Sequence, residues 1–205
     1  MQLSGKWKIL GWIAALIILL TLPLFLGKYS VFLLSLLAIY ALVSLGLTLL
    51  MGYTGQIACG HAGFLAIGAY VTAIVTANFE WLPCPVTLLL AGAISGLIGF
   101  LLGIPILRLK GFYIAMATLA FGVVISEIIL QWSSLTGGDN GFSVPTAKIG
   151  GFEFDSDFKL FYLIIPVTII MTLLAKNLVR GYIGRAFIAL RESEIAAQTI
   201  GVDLA

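Results

Sequence analysis

Long apolar runs separated by short connections are the feature that most constrains how this chain can fold. Six runs approach the length of about 20 residues that a helix needs to cross a bilayer. They are residues 9–26, 31–51, 57–79, 86–107, 112–132 and 161–178. Only 10% of the residues are charged, whereas roughly a quarter are charged in a typical soluble domain. The sequence therefore predicts an all-α integral membrane protein, a multi-pass bundle of about six transmembrane helices.

Lysine and arginine are distributed unequally between the two sides of such a bundle. With the N-terminus in the cytoplasm, eight of them fall on the inner side and three on the outer side. The inner residues are Lys6, Lys8, Arg108, Lys110, Lys176, Arg180, Arg185 and Arg191, and the outer ones are Lys28, Lys148 and Lys159. Because short loops rich in lysine and arginine stay in the cytoplasm, the N-terminus and the polar tail at 180–205 are both predicted to be cytoplasmic.

The stretch GYTGQIACGHAGFLAIGAY, which begins at residue 52, contains five glycines and the only histidine. Small residues at four-residue spacing let membrane helices pack closely. Two such series run through the third span, namely Ala58, Ala62 and Ala66, then Ala69, Ala73 and Ala77. Polar groups inside a membrane are functional candidates. Gln56, Gly60, His61 and Gly63 are therefore candidates for a substrate pathway, with tight helix packing as the alternative.

Residue for residue, this stretch resembles a signature of the branched-chain amino-acid ABC permease family, the LIV-type inner-membrane subunits. The matching positions are Gly52, Tyr53, Thr54, Gly55, Gln56, Gly60, His61, Ala62, Phe64, Ile67, Gly68, Ala69 and Tyr70. The chain departs from the family pattern at Ala58, where serine is usual, and at Cys59, where leucine is common. Permeases for urea and short amides carry similar versions, so the resemblance leaves the substrate open between these classes.

A second match is LTGGDNG, at residues 135–141, which resembles the family's external T-G-G-x-x-G loop. The matching residues are Thr136, Gly137, Gly138 and Gly141. The stretch is not a phosphate-binding loop, because no GKS/T follows it and no strand precedes it. A plain turn is the alternative interpretation.

A third match lies in the polar tail, whose pattern is helical. Ala196, Ala197 and Gly201 fit the E-A-A-x-x-x-G motif of ABC permeases, and Glu194 lies one place early. The resemblance implies that the segment 180–205 is a cytoplasmic coupling element that docks into a groove on an ATPase subunit. The alternative is a solvated tail on the membrane surface.

Glu127 lies in the fifth span, near its predicted outer third. A carboxylate at the bilayer centre costs about 2.5–3.5 kcal/mol and less near the interface. It is a candidate to meet the ammonium group of a substrate, and pairing with a polar neighbour is the structural alternative. His61 has no second His or Cys at ligand spacing, so no metal site is expected. No catalytic set of side chains and no cofactor motif is visible, so the chain is predicted not to be an enzyme.

The resemblance implies a permease subunit of an ATP-driven ABC importer for branched-chain or related amino acids, located in the cell inner membrane. Its expected partners are ATPase subunits, a second permease subunit, an external substrate-binding protein and the lipid bilayer. The net charge of +2 gives no indication of nucleic acid. Import of urea or short amides, ion-coupled secondary transport and a membrane scaffold are the alternatives. Because family members normally continue through more spans, residues 1–205 are expected to form a single, incomplete permease domain.

Overall fold

A computed structural model of the chain describes residues 19–79, 81–106, 108–109, 111–141, 143–149 and 151–192. Five helices among these residues are long and apolar enough to cross a membrane. The prediction of a multi-pass helical membrane protein is therefore confirmed. Most of the first predicted span, 9–26, lies outside the described residues, which include only its last part.

The helices follow the apolar runs, with shifts at their ends. In the described part of the chain, α1 comprises residues 19–25. The other helices are α2 Lys28–Leu47, α3 His61–Asn78, α4 Cys84–Ile106, α5 Phe112–Gln131, α6 Ser133–Thr136, α7 Asp157–Arg180 and α8 Tyr182–Glu192. A π-helical turn at Thr48–Tyr53 continues α2, and a 3-10 turn at Gly138–Asn140 follows α6. Two short antiparallel strands, β1 Lys148–Ile149 and β2 Phe152–Glu153, precede α7.

The helices pack in two groups. In the first group α2 lies along α7, and Val31, Ala38, Phe161 and Ile165 form its buried core. In the second group α3 packs against both α4 and α5, while the contact between α2 and α3 is small. Many large apolar side chains face outward from both groups, as lipid or neighbouring membrane helices require. The two groups are thus connected by the segment between α2 and α3 and by the loop between α5 and α7, with few direct contacts between their helices.

That segment differs from the predicted third span. The span was expected to begin at residue 57, but α3 begins at His61 with Gly60 as its N-cap. Residues 55–60 have an irregular backbone, which begins with Gly55 at a φ of 72°. The predicted series Ala58, Ala62 and Ala66 therefore does not lie on one helix, because Ala58 precedes α3. A positive φ is readily adopted only by glycine, so the backbone leaves the helix at Gly55.

The tail forms a helix, as its pattern predicts, as far as Glu192. Glu194, Ala196, Ala197 and Gly201 lie outside the described residues. The Arg191 guanidinium of α8 donates a hydrogen bond to the Gly52 carbonyl at 2.8 Å. Two segments that the charge bias assigns to the cytoplasmic side therefore lie together. The orientation itself stays a prediction.

Candidate functional site

The break between α2 and α3 is the centre of the candidate site. Residues 55–60 connect two helices that are each long enough to cross a membrane, Lys28–Tyr53 and His61–Asn78. Buried backbone groups that have left a helix cost free energy unless they find hydrogen-bond partners. Ala58 and Gly60 are buried, whereas Gln56 is half-buried and Cys59 is exposed. The π-helical turn before the break adds a second irregularity, of a kind that is frequent at functional sites.

A side chain on α5 supplies a hydrogen-bond acceptor for one backbone amide of this break. The Cys59 amide donates a hydrogen bond to Thr118 Oγ1 at 3.0 Å. The Thr118 hydroxyl is itself within hydrogen-bond distance of two helix carbonyls, those of Ile114 at 2.9 Å and Ala115 at 3.0 Å. Thr118 is 7% exposed, so it replaces water as the acceptor for an amide that has left the helix. The sequence analysis missed this residue, although a polar side chain in an apolar span was an available signal.

Thr118→Val is expected to destabilise the protein by about 1–3 kcal/mol, because it leaves the Cys59 amide without its acceptor. Thr118→Ser keeps the hydroxyl and should lie much closer to the parent. Thr172→Val is the matched control, since Thr172 is exposed and its hydroxyl bonds only within its own helix. The measurement is the apparent melting temperature in detergent. Equal losses in Thr118→Val and Thr172→Val would contradict the role of Thr118.

Glycines bring the start of α3 against α5. A Cβ at Gly60 would lie 2.6 Å from the Thr118 carbonyl oxygen. A Cβ at Gly63 would lie 3.0 Å from Phe121 Cε1 and 3.2 Å from the Gly122 Cα. Both Gly60 and Gly63 are buried. The close approach of membrane helices through small residues therefore occurs here, through glycines on the face of α3 that meets α5.

His61 is the first residue of α3 and lies on the side that faces α2. The ring is half-buried, and its Nε2 atom lies 3.5 Å from the position that a Cβ at Gly46 would take. No described residue forms a hydrogen bond with the imidazole in this structure. Gly60, His61 and Gly63 therefore lie between α2 on one side and α5 on the other, and Gln56 precedes them in the irregular segment.

Glu127 is separate from this cluster. It lies five residues beyond Gly122 on α5, which corresponds to about 7.5 Å along the helix axis. Its side chain is exposed and has no partner among the described residues. A carboxylate that faced lipid at this depth would be costly, so the exposed side of α5 around Glu127 suits contact with protein or with a hydrated pathway.

An open cavity of about 810 Å³ lies between α3 and α4. Its wall is almost entirely apolar, and Phe64, Leu88 and Ala91 contribute to it together with Gly141 and Val144 from the outer loop. Ser95 also lines it, and the Ser95 hydroxyl is buried without a hydrogen-bond partner in the described part of the chain. The candidates Gln56, Gly60, His61, Gly63 and Glu127 do not line this cavity, and the sequence analysis did not single out Ser95.

The loop that is predicted to be external, residues 135–141, forms a compact cap on the C-terminal end of α5. Thr136 is 4% exposed, its hydroxyl lies 2.6 Å from the Ile129 carbonyl oxygen, and it accepts a hydrogen bond from the Gly138 amide at 3.2 Å. Gly137, Gly138 and Gly141 all have positive φ angles, of 77°, 57° and 61°. A Cβ at Gly137 would overlap the Gly141 carbonyl. The spacing of the glycines is therefore a requirement of the backbone.

Two exposed ion pairs lie on and beside the hairpin that follows this loop. Lys148 pairs with Glu153 across β1 and β2 at 2.9 Å, and Lys159 at the start of α7 pairs with Asp155 at 2.7 Å. The hydrogen bond from Lys159 lowers the pKa of the Asp155 carboxyl. Pairs as exposed as these contribute little stability, so the hairpin is positioned mainly by its backbone.

The apolar helices, the close glycine contacts and the break inside the bundle define a multi-pass helical membrane protein with an irregular segment between two helical groups. Residues 29–205 match the family model described as branched-chain amino acid transport system / permease component. The chain therefore belongs to this family. The family consists of transport components, so the prediction of a permease that is not an enzyme is confirmed.

Two curated relatives are similar to most of the chain. One is the high-affinity branched-chain amino acid transport system permease protein LivM of Salmonella typhimurium (strain LT2), 35% identical over 213 residues, covering 92% of this chain and 50% of the relative. The other is the protein of the same name from Escherichia coli (strain K12), 34% identical over 217 residues, covering 93% of this chain and 50% of the relative. The chain thus spans about half the length of these relatives. No solved structure matches the chain significantly.

Proposed function

We propose that the chain is the permease part of an ATP-driven importer that moves branched-chain or related amino acids across the inner membrane. The observation that carries the proposal is the break at 55–60. The family-like residues Gln56 and Gly60 lie in it and His61 follows it directly, between two helical groups that have few direct contacts. A transporter needs such a junction, because its two sides must open alternately.

The lining of the cavity between α3 and α4 favours a substrate that has an apolar side chain. Ligand pockets of about 300–1,000 Å³ are usually apolar, with a few polar groups that fix the orientation of the ligand. Ser95 supplies a buried hydroxyl without a described partner, and the remaining wall is nearly all apolar. This lining suits an aliphatic amino-acid side chain better than urea, which has no apolar part to bury.

We assign distinct roles to the pathway candidates. Gly60 and Gly63 allow the close contact between α3 and α5. Gln56 and His61 are the polar side chains next to these glycines in the chain, and we assign them to the pathway. Glu127 carries the charge that meets a substrate ammonium group or a polar group of a partner. The external loop around Gly137 and Gly141 receives the substrate from an external binding protein.

The tail would connect this pathway to its energy source. In the proposed complex the segment around Glu194, Ala196, Ala197 and Gly201 docks on an ATPase subunit, and a second permease subunit completes the pathway. Ala197→Glu should weaken capture of the ATPase by roughly a hundredfold, since an unpaired charge at a contact costs about 3 kcal/mol. Gly201→Val should act in the same direction, because a β-branched residue resists the left-handed geometry that ends a helix.

The measurement is pull-down of the ATPase subunits, followed by ATP hydrolysis in the reconstituted complex. Tyr182→Glu is the control, because it places the same charge on an exposed position of the tail outside the proposed motif. Leucine, isoleucine and valine should stimulate hydrolysis, and urea should not. Parent-like capture by Ala197→Glu and Gly201→Val would disprove the docking assignment. Stimulation of ATP hydrolysis by urea and not by the amino acids would show that the substrate is urea.

A further inference from the structure

α8 is held at a fixed angle to α7. The two helices meet at Gly181, whose amide donates hydrogen bonds to the carbonyls of Asn177 and Leu178. Gly184, in the first turn of α8, is buried, and a Cβ there would overlap the Val179 carbonyl. The chain therefore makes a tight bend between α7 and α8. Because α7 packs along α2, α8 is in turn fixed relative to the end of α2.

The far end of α8 reaches the break through one side chain. Arg191 Nη1 donates a hydrogen bond to the Gly52 carbonyl at 2.8 Å. The carbonyls of the last turn of a helix lack partners within the helix, and Gly52 belongs to the π-helical turn that ends α2. The Arg191 side chain also covers Gly55, since a Cβ at Gly55 would lie 3.0 Å from Arg191 Cγ.

These two contacts lie at and just before the first residue of the irregular segment, which is itself exposed. Gly55 has a φ of 72° and begins the stretch that ends at Gly60. At the other end of this stretch, Thr118 on α5 holds the Cys59 amide. The break is therefore anchored twice, by Arg191 on the side of α2, α7 and α8, and by Thr118 on the side of α3, α4 and α5.

We propose that Arg191 is a positioning residue, which holds the broken segment 55–60 in this conformation from α8 and so links the tail to the pathway. A change in the position of α8 moves the Arg191 guanidinium relative to the Gly52 carbonyl and releases the segment at its first residue. The link to transport rests on the proposed function. The anchoring of the segment does not depend on it and can be measured in the chain by itself.

The test is hydrogen exchange, followed by mass spectrometry, in the purified protein in detergent. Arg191→Met keeps the aliphatic stem over Gly55 and removes the donor. It should speed exchange in peptides covering residues 52–60 by roughly threefold to tenfold, the range expected if one hydrogen bond holds the segment closed. Peptides from α4 should exchange at the parent rate. Arg191→Lys, which keeps a donor at the end of the chain, should restore much of the protection.

Arg185→Met is the matched control, because Arg185 lies on the same helix, is exposed, and its guanidinium donates a hydrogen bond to the Arg180 carbonyl, at 3.5 Å, rather than to the segment 52–60. Thr118→Val releases the Cys59 amide at the other anchor and sets the upper limit of exchange for the freed segment. If Arg191→Met does not fold, Arg191→Gln decides, since it also loses the reach to Gly52. Parent-like exchange at 52–60 in the folded variant, or an equal rise in Arg185→Met, overturns the proposal. Failure of ATPase capture leaves this result unchanged.

Discussion

Gly60→Ala is expected to lower the apparent melting temperature of the protein in detergent by roughly 3–10 °C. The added methyl group would lie 2.6 Å from the Thr118 carbonyl oxygen and 3.2 Å from Thr118 Cβ. A backbone carbonyl inside a helix cannot rotate away as a flexible side chain does. Either α3 moves from α5, or the break between α2 and α3 changes course. Both outcomes also weaken the hydrogen bond from the Cys59 amide to Thr118.

Gly96→Ala is the control for this prediction. Gly96 lies within α4, and a Cβ there would meet nothing within 4 Å. Since alanine favours a helix by about 1 kcal/mol over glycine, Gly96→Ala should leave the melting temperature unchanged or raise it. The difference between the two variants therefore measures the contact and not the helix propensity. A melting temperature for Gly60→Ala that equals that of Gly96→Ala would show that α3 and α5 do not meet through Gly60.

The helices themselves could be predicted from the sequence because the apolar runs match the thickness of a bilayer. The run at 112–132 corresponds closely to α5, and the run at 161–178 lies within α7, which extends to Asp157 and Arg180. A hydropathy pattern records the composition of a run and not its backbone angles. The predicted span therefore includes residues 57–60 as helix, although they belong to the irregular segment before α3. Gly60 and Gly63 form the contact between the start of α3 and α5, whereas the nearby Ala62 is exposed.

The site could be predicted only in part, for a related reason. The candidates at 56–63 were found because the stretch is unusual by itself and its residues are neighbours in the chain. Thr118 and Arg191 bind residues that are distant in the sequence, Cys59 and Gly52 respectively. Ser95 lies in the wall of a cavity that several separate segments form. A serine or threonine in an apolar run usually bonds to its own helix, so composition does not reveal which one faces another element.

Gly137→Ala is expected to disrupt the loop at residues 135–141 more than the addition of a methyl group at any other position in it. Gly137 has a φ of 77° and a ψ of −2°, a left-handed conformation that costs an alanine roughly 1–2 kcal/mol. The new Cβ would also overlap the Gly141 carbonyl. Asparagine tolerates left-handed angles but carries the same Cβ. Gly137→Asn should therefore fail almost as badly, which separates the overlap from the backbone angle.

Gly141 is required for its backbone angles and not for lack of space, so Gly141→Ala can be compared with Gly137→Ala. Its φ of 61° and ψ of −171° lie in a region that is essentially restricted to glycine and costs other residues about 1–3 kcal/mol. A Cβ there would meet nothing within 4 Å. Gly141→Ala should thus disturb the loop less than Gly137→Ala. Gly27→Ala, at an ordinary φ of −68° and with no neighbour within 4 Å, should have no effect.

Hydrogen exchange in peptides covering residues 133–141 measures this order directly, because three loop amides are bonded within the cap. The Gly137 amide donates to the Ser133 carbonyl, the Gly138 amide to the Thr136 hydroxyl and the Gly141 amide to the Gly138 carbonyl. Protection should fall most in Gly137→Ala, less in Gly141→Ala and not in Gly27→Ala. Gly141 also lines the cavity between α3 and α4. If the proposed function is correct, amino-acid uptake should therefore fall in the same order. Equal protection in Gly137→Ala and Gly27→Ala would mean that the glycines do not shape the cap, and the loop would then be the plain turn that its composition allowed.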